Sequence, residues 1–328
     1  MKLLRYTLYV FAGLLLLASA AFGFLYFHTP NTAPARTITV RMERDRIERG
    51  RYLFRLGDCD GCHSERDFSR FGGPVVETGR GRGNVLPFND LPGRIVAANI
   101  TPDVETGIGS WTDGEKIRAI REGVDRDGRA LFPMMPYGFY RYMSDDDVEC
   151  LVAYLNSLKP VKNALPRTAV RFPVSMLMKF APEPAGPVKA PDRRNPRVYG
   201  EYLVTVAGCM DCHTPFEKGK LDLTMKFAGG RAFEASGLKV VSANITPHAE
   251  TGIGKWDFAR FQQRFRAYQP YVHEGSPKVG PEKFTVMPWL NLSQLPDEDL
   301  AAIFEYLNSQ TPVDHLVEKA KFQRASLE

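Results

Sequence analysis

The sequence predicts an all-α protein, with two similar helical domains in tandem behind one N-terminal membrane helix. Three observations predict it. An apolar run without charge occupies residues 8–27, and the pentapeptide Cys59-Asp60-Gly61-Cys62-His63 returns as Cys209-Met210-Asp211-Cys212-His213. The segments around each pentapeptide also repeat, in the same order. At 328 residues the chain has room for two ordinary domains. The net charge of +5 is mild for this length. No basic stripe interleaved with aromatic residues appears, which disfavours nucleic-acid binding.

The apolar run follows Lys2 and Arg5 and ends at His28-Thr29-Pro30. Its length is close to the ~20 residues a helix needs to cross the hydrocarbon core. The basic flank predicts the N-terminus inside and all later residues outside. Ala18-Ser19-Ala20 resembles a signal-peptide cleavage site. The run continues through Phe22, Phe24, Leu25 and Phe27, which a cleaved signal does not require. Residues 1–30 are therefore read as a retained anchor in preference to a signal peptide, and no second spanning stretch follows.

Beyond the anchor the chain is a duplication. Gly50-Arg51-Tyr52-Leu53 matches Gly200-Glu201-Tyr202-Leu203, each glycine nine residues before a motif cysteine. Asn99-Ile100-Thr101-Pro102, with Thr106-Gly107-Ile108-Gly109 and Trp111, recurs as Asn244-Ile245-Thr246-Pro247 with Thr251-Gly252-Ile253-Gly254 and Trp256. Met135-Pro136-Tyr137 matches Met287-Pro288-Trp289, and Tyr154-Leu155-Asn156-Ser157 matches Tyr306-Leu307-Asn308-Ser309. The spacings drift, so insertions fall in loops between fixed landmarks. The implied domains are 41–160 and 197–316, with a connector at 161–196 and a tail at 317–328.

Each domain reads as helical. Ile47, Leu53, Phe54 and Leu56 give an apolar face to a helix entering the first motif. Ser144 and the acids Asp145 to Asp147 supply a cap and favourable charge to a closing helix. Its buried stripe is Val148, Leu151, Val152, Leu155 and Leu158. In the second copy Pro296 opens the closing helix, with Leu300, Ile303, Phe304 and Leu307 on the stripe. Gly50 and Gly200 would let entering and closing helices cross closely, and Cys150, superposing on Ala302, is read as a small packing residue. Between the domains, residues 159–197 hold eight prolines and nine Lys/Arg against only Glu183 and Asp192. Proline blocks helix continuation and central strands, so an extended connector is expected. Its apolar run 172–180 is too short to span a membrane and is expected to pack against a domain.

The pentapeptides carry the chemistry. Cys-x-x-Cys-His reads as a covalent haem attachment site, with two thiols one helical turn apart to bond the vinyl groups and a histidine to ligate the iron. Zinc and redox-thiol readings compete. Each pair, however, has its own histidine and its own repeated segment, and no βαβ setting surrounds either. Two haem c groups follow, attached through Cys59, Cys62, Cys209 and Cys212, with His63 and His213 as proximal ligands.

His63 is the only histidine between the anchor and the connector, so the first distal ligand is another residue type. Met135 and Met287 are the candidates, because they alone among the methionines recur in register, each just before proline. A flexible core filler is the competing reading for any methionine. A thioether ligand also raises the potential of haem iron. In the second copy His248, which replaces Asp103, and His273, in an insertion, are rivals. The Asn-Ile-Thr-Pro loop is expected to wrap the haem edge. Trp111 and Trp256 are candidate donors to haem propionates, and Arg80, Arg82 and Arg231 can pair with the same carboxylates.

An entering helix with a glycine, a closing helix with an aromatic residue and haem between them resemble the small class I cytochrome c fold. The motif set at Cys59–His63, 99–111, 135–137 and 143–145 resembles the multihaem cytochrome c subunits of bacterial membrane-bound alcohol, aldehyde and sugar-acid dehydrogenases, over residues 50–312. The resemblance implies that the methionine of Met-Pro-Tyr is an axial ligand, which supports Met135 and, less directly, Met287. It also implies electron relay outside the inner membrane, in the periplasm. The donor would be a dehydrogenase or quinol-oxidising complex, and the acceptor a terminal oxidase or soluble cytochrome. The chain departs from those subunits in having two motifs where three are common, and Met-Pro-Trp in the second copy. A carrier with no substrate of its own is therefore the leading expectation. A dihaem peroxidase and a dihaem subunit of a haem-copper oxidase are the alternatives.

Overall fold

The computed structural model describes residues 2–318 except 88–90, 218, 236–237 and 281–284. The last ten residues of the expected tail lie outside the described residues. The apolar run forms one helix, Lys2–Phe27, with none of its residues buried. Twenty-six residues at about 1.5 Å each exceed the ~30 Å of a bilayer core. Residues 28–43 then run as an extended strap along the first half. Thr32 and Ala33 donate to Glu122 at 2.6 and 3.0 Å, and Val40 donates to Asp113 at 2.9 Å. Both acceptors belong to the helix Asp113–Glu122, which opens with a capping box between Thr112 and Glu115.

The entering helix of the first half is Arg44–Leu56 and the closing helix Asp145–Ser157. Their counterparts are Pro196–Val206 and Asp297–Asn308. Each pair crosses at a glycine. A methyl group on Gly50 would collide with the carbonyl of Cys150 and come within 2.7 Å of Tyr154 Cβ. On Gly200 it would strike the carbonyl of Ala302 and come within 2.9 Å of Tyr306 Cβ. Of the predicted stripes, Leu53, Phe54, Leu56, Val148, Val152 and Leu300 are wholly enclosed, while Ile47 and Leu158 are only partly buried. Ser144 caps its helix by accepting from Asp147 N.

Around each pair the order of short helices repeats. Cys59–His63, Asp113–Glu122 and Tyr137–Tyr140 in the first half answer to Cys209–His213, Phe258–Arg266 and Trp289–Leu292 in the second. The second half adds Gln269–His273. The expectation of an all-helical chain needs one correction. Antiparallel ladders occur in the loops, the longest pairing Ala232–Ala235 with Leu238–Val241. They satisfy backbone groups of Gly-rich loops and form no layer of their own.

The buried apolar cluster runs without a break through both halves. Across the junction the contacts are reciprocal. Tyr52 on the first entering helix donates to Asp299 on the second closing helix, and Tyr202 on the second entering helix donates to Asp147 on the first closing helix, both at 2.5 Å. Arg49 grips Asp147 with two bonds of 2.8 Å. The connector crosses the surface as expected. Its segment 172–180, however, packs against the C-terminal end of the first helix, with Phe180 stacked 3.9 Å from His28.

Overpacking at a backbone-to-backbone crossing has no flexible side chain to absorb it. Gly200→Ala should cost about 3 kcal/mol or more in chemical denaturation. An unchanged unfolding midpoint would show that the helices separate freely.

Candidate haem-binding sites

Both motif helices begin at a residue in the left-handed region, Asp58 at φ 48° and Gly208 at φ 64°. That turn breaks the entering helix and restarts a single helical turn, which sets the two cysteines on one face and brings the histidine after them. The histidines are then oriented identically. His63 Nδ1 lies 2.7 Å from the carbonyl of Ala98, and His213 Nδ1 lies 2.7 Å from that of Ala243. A carbonyl only accepts, so Nδ1 carries the proton and Nε2 keeps its lone pair for a metal. Burial lowers the pKa of both imidazoles, with the carbonyl acceptor pulling the other way. They are therefore neutral, as ligation requires.

The carbonyls are held by the repeated loop that follows. Asn99 Oδ1 accepts from Thr101 N and Oγ1 at 3.0 and 2.7 Å, while Nδ2 donates to Val161 O at 2.8 Å. Asn244, Thr246 and Val313 repeat the pattern at 2.9, 2.7 and 2.9 Å. Asn99, Thr101, Asn244 and Thr246 are all buried. The asparagine and threonine side chains of this loop tie it to the chain just after each closing helix. The loop's exposed product is an alanine carbonyl aimed at the imidazole. Sequence reasoning missed these alanines, although Ala98 and Ala243 recur immediately before Asn-Ile-Thr-Pro.

His248 does the work of the aspartate it replaces. Asp103 Oδ1 accepts from Thr106 N and Oγ1, both at 2.7 Å, and His248 Nδ1 takes the corresponding bonds from Thr251 at 3.2 and 2.8 Å. The ring is engaged in shaping the loop. His273 is exposed at the end of its short helix.

Cys59, Trp111 and Met135 lie partly buried against the core of the first half, and Cys209, Trp256 and Met287 against that of the second. Each methionine is followed by a proline that caps a short helix, and the next residue donates its N–H to the methionine carbonyl at 2.8 Å in both copies. In the first half Tyr140 on that helix donates to Gly57 O at 2.7 Å. This ties the methionine segment to the start of the motif. The indoles of Trp111 and Trp256 have no protein acceptor among the described residues, and the Arg260 guanidinium lies 4.9 Å over Trp256.

The arginines have protein partners that the sequence did not foresee. Arg80 pairs with Asp60 and Glu77, Arg82 with Glu65, and Arg231 with the Asp211 carboxylate at 2.7 Å. Each pairs with a carboxylate in or near a motif helix, and so helps to clamp the motif. Burial pushes the Cys62 thiol up to about 11 and those of Cys209 and Cys212 up to about 12. Burial, reinforced by Asp60 and Asp58, raises Cys59 as well. Among the described residues no three His, Cys, Asp or Glu side chains converge as a metal cluster. A neutral histidine with a free Nε2 behind two paired thiols, and a thioether on a restrained loop, suit covalent haem.

Comparisons agree with that chemistry. A family model described as cytochrome c matches residues 47–159. The chain is 31% identical over 282 residues to the cytochrome c subunit of the quinone alcohol dehydrogenase of Komagataeibacter europaeus, covering 81% of this chain and 56% of that protein. It is 29% identical over 279 residues to the gluconate 2-dehydrogenase cytochrome c subunit of Pantoea cypripedii, covering 80% and 59%. A diheme cytochrome c-type of Cereibacter sphaeroides is 31% identical over 271 residues, which is 79% of this chain and 84% of that protein. The chain thus spans little more than half the length of the dehydrogenase subunits it matches.

Asp58 makes a pH prediction. Burial pushes its carboxyl up from 3.8 to about 6, opposed by Arg66 and by the 2.7 Å bond from Asn291 in the other half. The folded chain binds more protons than the unfolded one between those values, so this group costs stability as pH rises through that window. Asp58→Asn keeps an acceptor for Asn291 and tolerates the left-handed backbone. It should gain about 2 kcal/mol relative to the parent on going from about pH 4 to pH 7 in denaturant titrations. Parallel pH profiles would place the Asp58 carboxyl in water.

Proposed function

Because this chain belongs to the c-type cytochromes, in a group that includes electron-transfer subunits of dehydrogenases, we propose that it is a membrane-anchored dihaem electron carrier. The observation that carries the proposal is the twofold recurrence of one constellation: a motif histidine whose Nδ1–H is given to a fixed alanine carbonyl, and a Met-Pro segment against the same core.

In this reading the two halves are tandem class I cytochrome c domains, each holding one haem c. Haem iron supplies one-electron redox chemistry, and the chain supplies attachment, ligation and shielding. Cys59 and Cys62, and Cys209 and Cys212, form the thioether bonds. His63 and Met135 would hold the iron in the first domain, His213 and Met287 in the second. The alanine carbonyls raise the basicity of the imidazoles, while the thioethers favour the reduced state. Two protein ligands for each iron would favour electron relay over turnover of a substrate there. The indoles of Trp111 and Trp256 serve as propionate donors.

The helix Lys2–Phe27 is read as a retained anchor. Its apolar run continues through Phe22, Phe24, Leu25 and Phe27, beyond what a cleaved leader requires. Lys2 and Arg5 orient the haem domains to the periplasmic side. A membrane dehydrogenase or quinol-oxidising complex is then the donor, and a terminal oxidase or soluble cytochrome the acceptor. Tethering keeps the carrier at high effective concentration beside them.

Full-length chain matured in a host that attaches haem c should gain the mass of two haem groups, and a gain of one or none defeats the proposal. Met135→Ala and Met287→Ala should each remove about half of the near-infrared methionine–iron absorption and lower one of two midpoint potentials, with haem content unchanged. Trp256→Phe should lower the second potential alone, and an unmoved potential would remove its propionate bond.

A further inference from the structure

The connector carries a feature that electron relay does not use. Its segment 171–180 folds into two short turns, Val174–Leu177 and Met178–Phe180, lying beside the C-terminal end of the first helix. Phe180 stacks on His28 and approaches Phe24 at 6.2 Å, and Lys179 Nζ donates to the carbonyl of Tyr26 at 2.8 Å. The other edge is tied to the first half, where Ala169–Val170 pairs with Gly93–Arg94 and Arg171 N donates to Pro92 O at 2.8 Å. Held between these, Phe172, Leu177 and Phe180 stay 66%, 54% and 42% exposed.

Large apolar side chains left in water within one short stretch need a partner. Three facts identify its chemistry. The patch is continuous with Tyr26 and Phe27, the exposed aromatic end of the apolar helix. The exposed Arg167 and Arg171, with Lys179, flank it, and residues 159–182 contain no Asp or Glu. Cations with long aliphatic stems beside aromatic and apolar groups are the composition of a membrane-interface element.

We propose that residues 171–180 are a second membrane contact. Phe172, Leu177 and Phe180 enter the interface of the bilayer that the first helix crosses, and Arg167, Arg171 and Lys179 engage anionic phospholipid headgroups. The proposal rests on the retained-anchor reading. The anchor fixes where the protein is, and this foot fixes how it stands.

Full-length holoprotein in vesicles of phosphatidylcholine with phosphatidylglycerol, and in vesicles of phosphatidylcholine alone, separates the possibilities by amide hydrogen exchange. Residues 174–180 should exchange about fivefold more slowly in the anionic vesicles, the factor expected per engaged cation. The double variant Phe172→Asp, Leu177→Asp should lose that protection in anionic vesicles, while the helix Asp297–Asn308 exchanges as in the parent. Equal exchange in both lipids and in the variant, with the chain still vesicle-bound after an alkaline wash, overturns the foot and leaves the anchor standing. Release of the chain by the wash overturns both.

Discussion

An imidazole ligates iron through Nε2 only while Nδ1 keeps its proton, and in both halves one hydrogen bond to an alanine carbonyl enforces that state. The rest of each site exists to keep that carbonyl still. The buried asparagine and threonine of the next loop spend their polar atoms on one another and on the chain after the closing helix. The closing helix is in turn locked to the entering helix at a crossing that admits only glycine. The entering helix leads into the motif itself. The circuit closes on the histidine it began with, so the glycine crossing contributes to the position of that imidazole.

Electrostatics tightens the same circuit. Carboxylates on or near the motif helices are neutralised locally by Arg80, Arg82 and Arg231. Asp58 is the partial exception, since its Asn291 partner is neutral and burial raises its pKa. That carboxyl sits where the first motif meets the second half, at a seam where the protein tolerates an imperfectly solvated charge.

Much of this was legible in the sequence because covalent chemistry and backbone geometry leave short, position-specific marks. The motif, the glycine nine residues before it and the methionine before proline each follow from a local requirement, and the closing-helix stripes follow from periodicity. The repeated loop was visible too, but its internal bonds were not, because an asparagine that faces inward and one that faces a ligand look alike in a sequence. The carboxylate partners of Arg80 and Arg231 were not foreseen either, since a guanidinium advertises an anion without saying which. The sequence shows His248 standing where Asp103 stands in the other copy, but not that its ring accepts the same bond. The junction between the halves was not legible at all. Tyr52 and Asp299 are far apart in the chain and carry no motif, and only the packing of the two helix pairs brings them together.

That junction has a bearing on how the molecule arose. Each half offers a tyrosine donor and an aspartate acceptor, and each is answered by the other half in the same sense. A surface that presents both members of such a pair is complementary to a copy of itself, the condition for an isologous dimer. A one-motif ancestor pairing with its twin, then joined to it by gene fusion, would leave this reciprocal seam behind. Once joined, the copies were free to diverge, which is how one could acquire a histidine in its loop and a tryptophan after its methionine while the other kept aspartate and tyrosine.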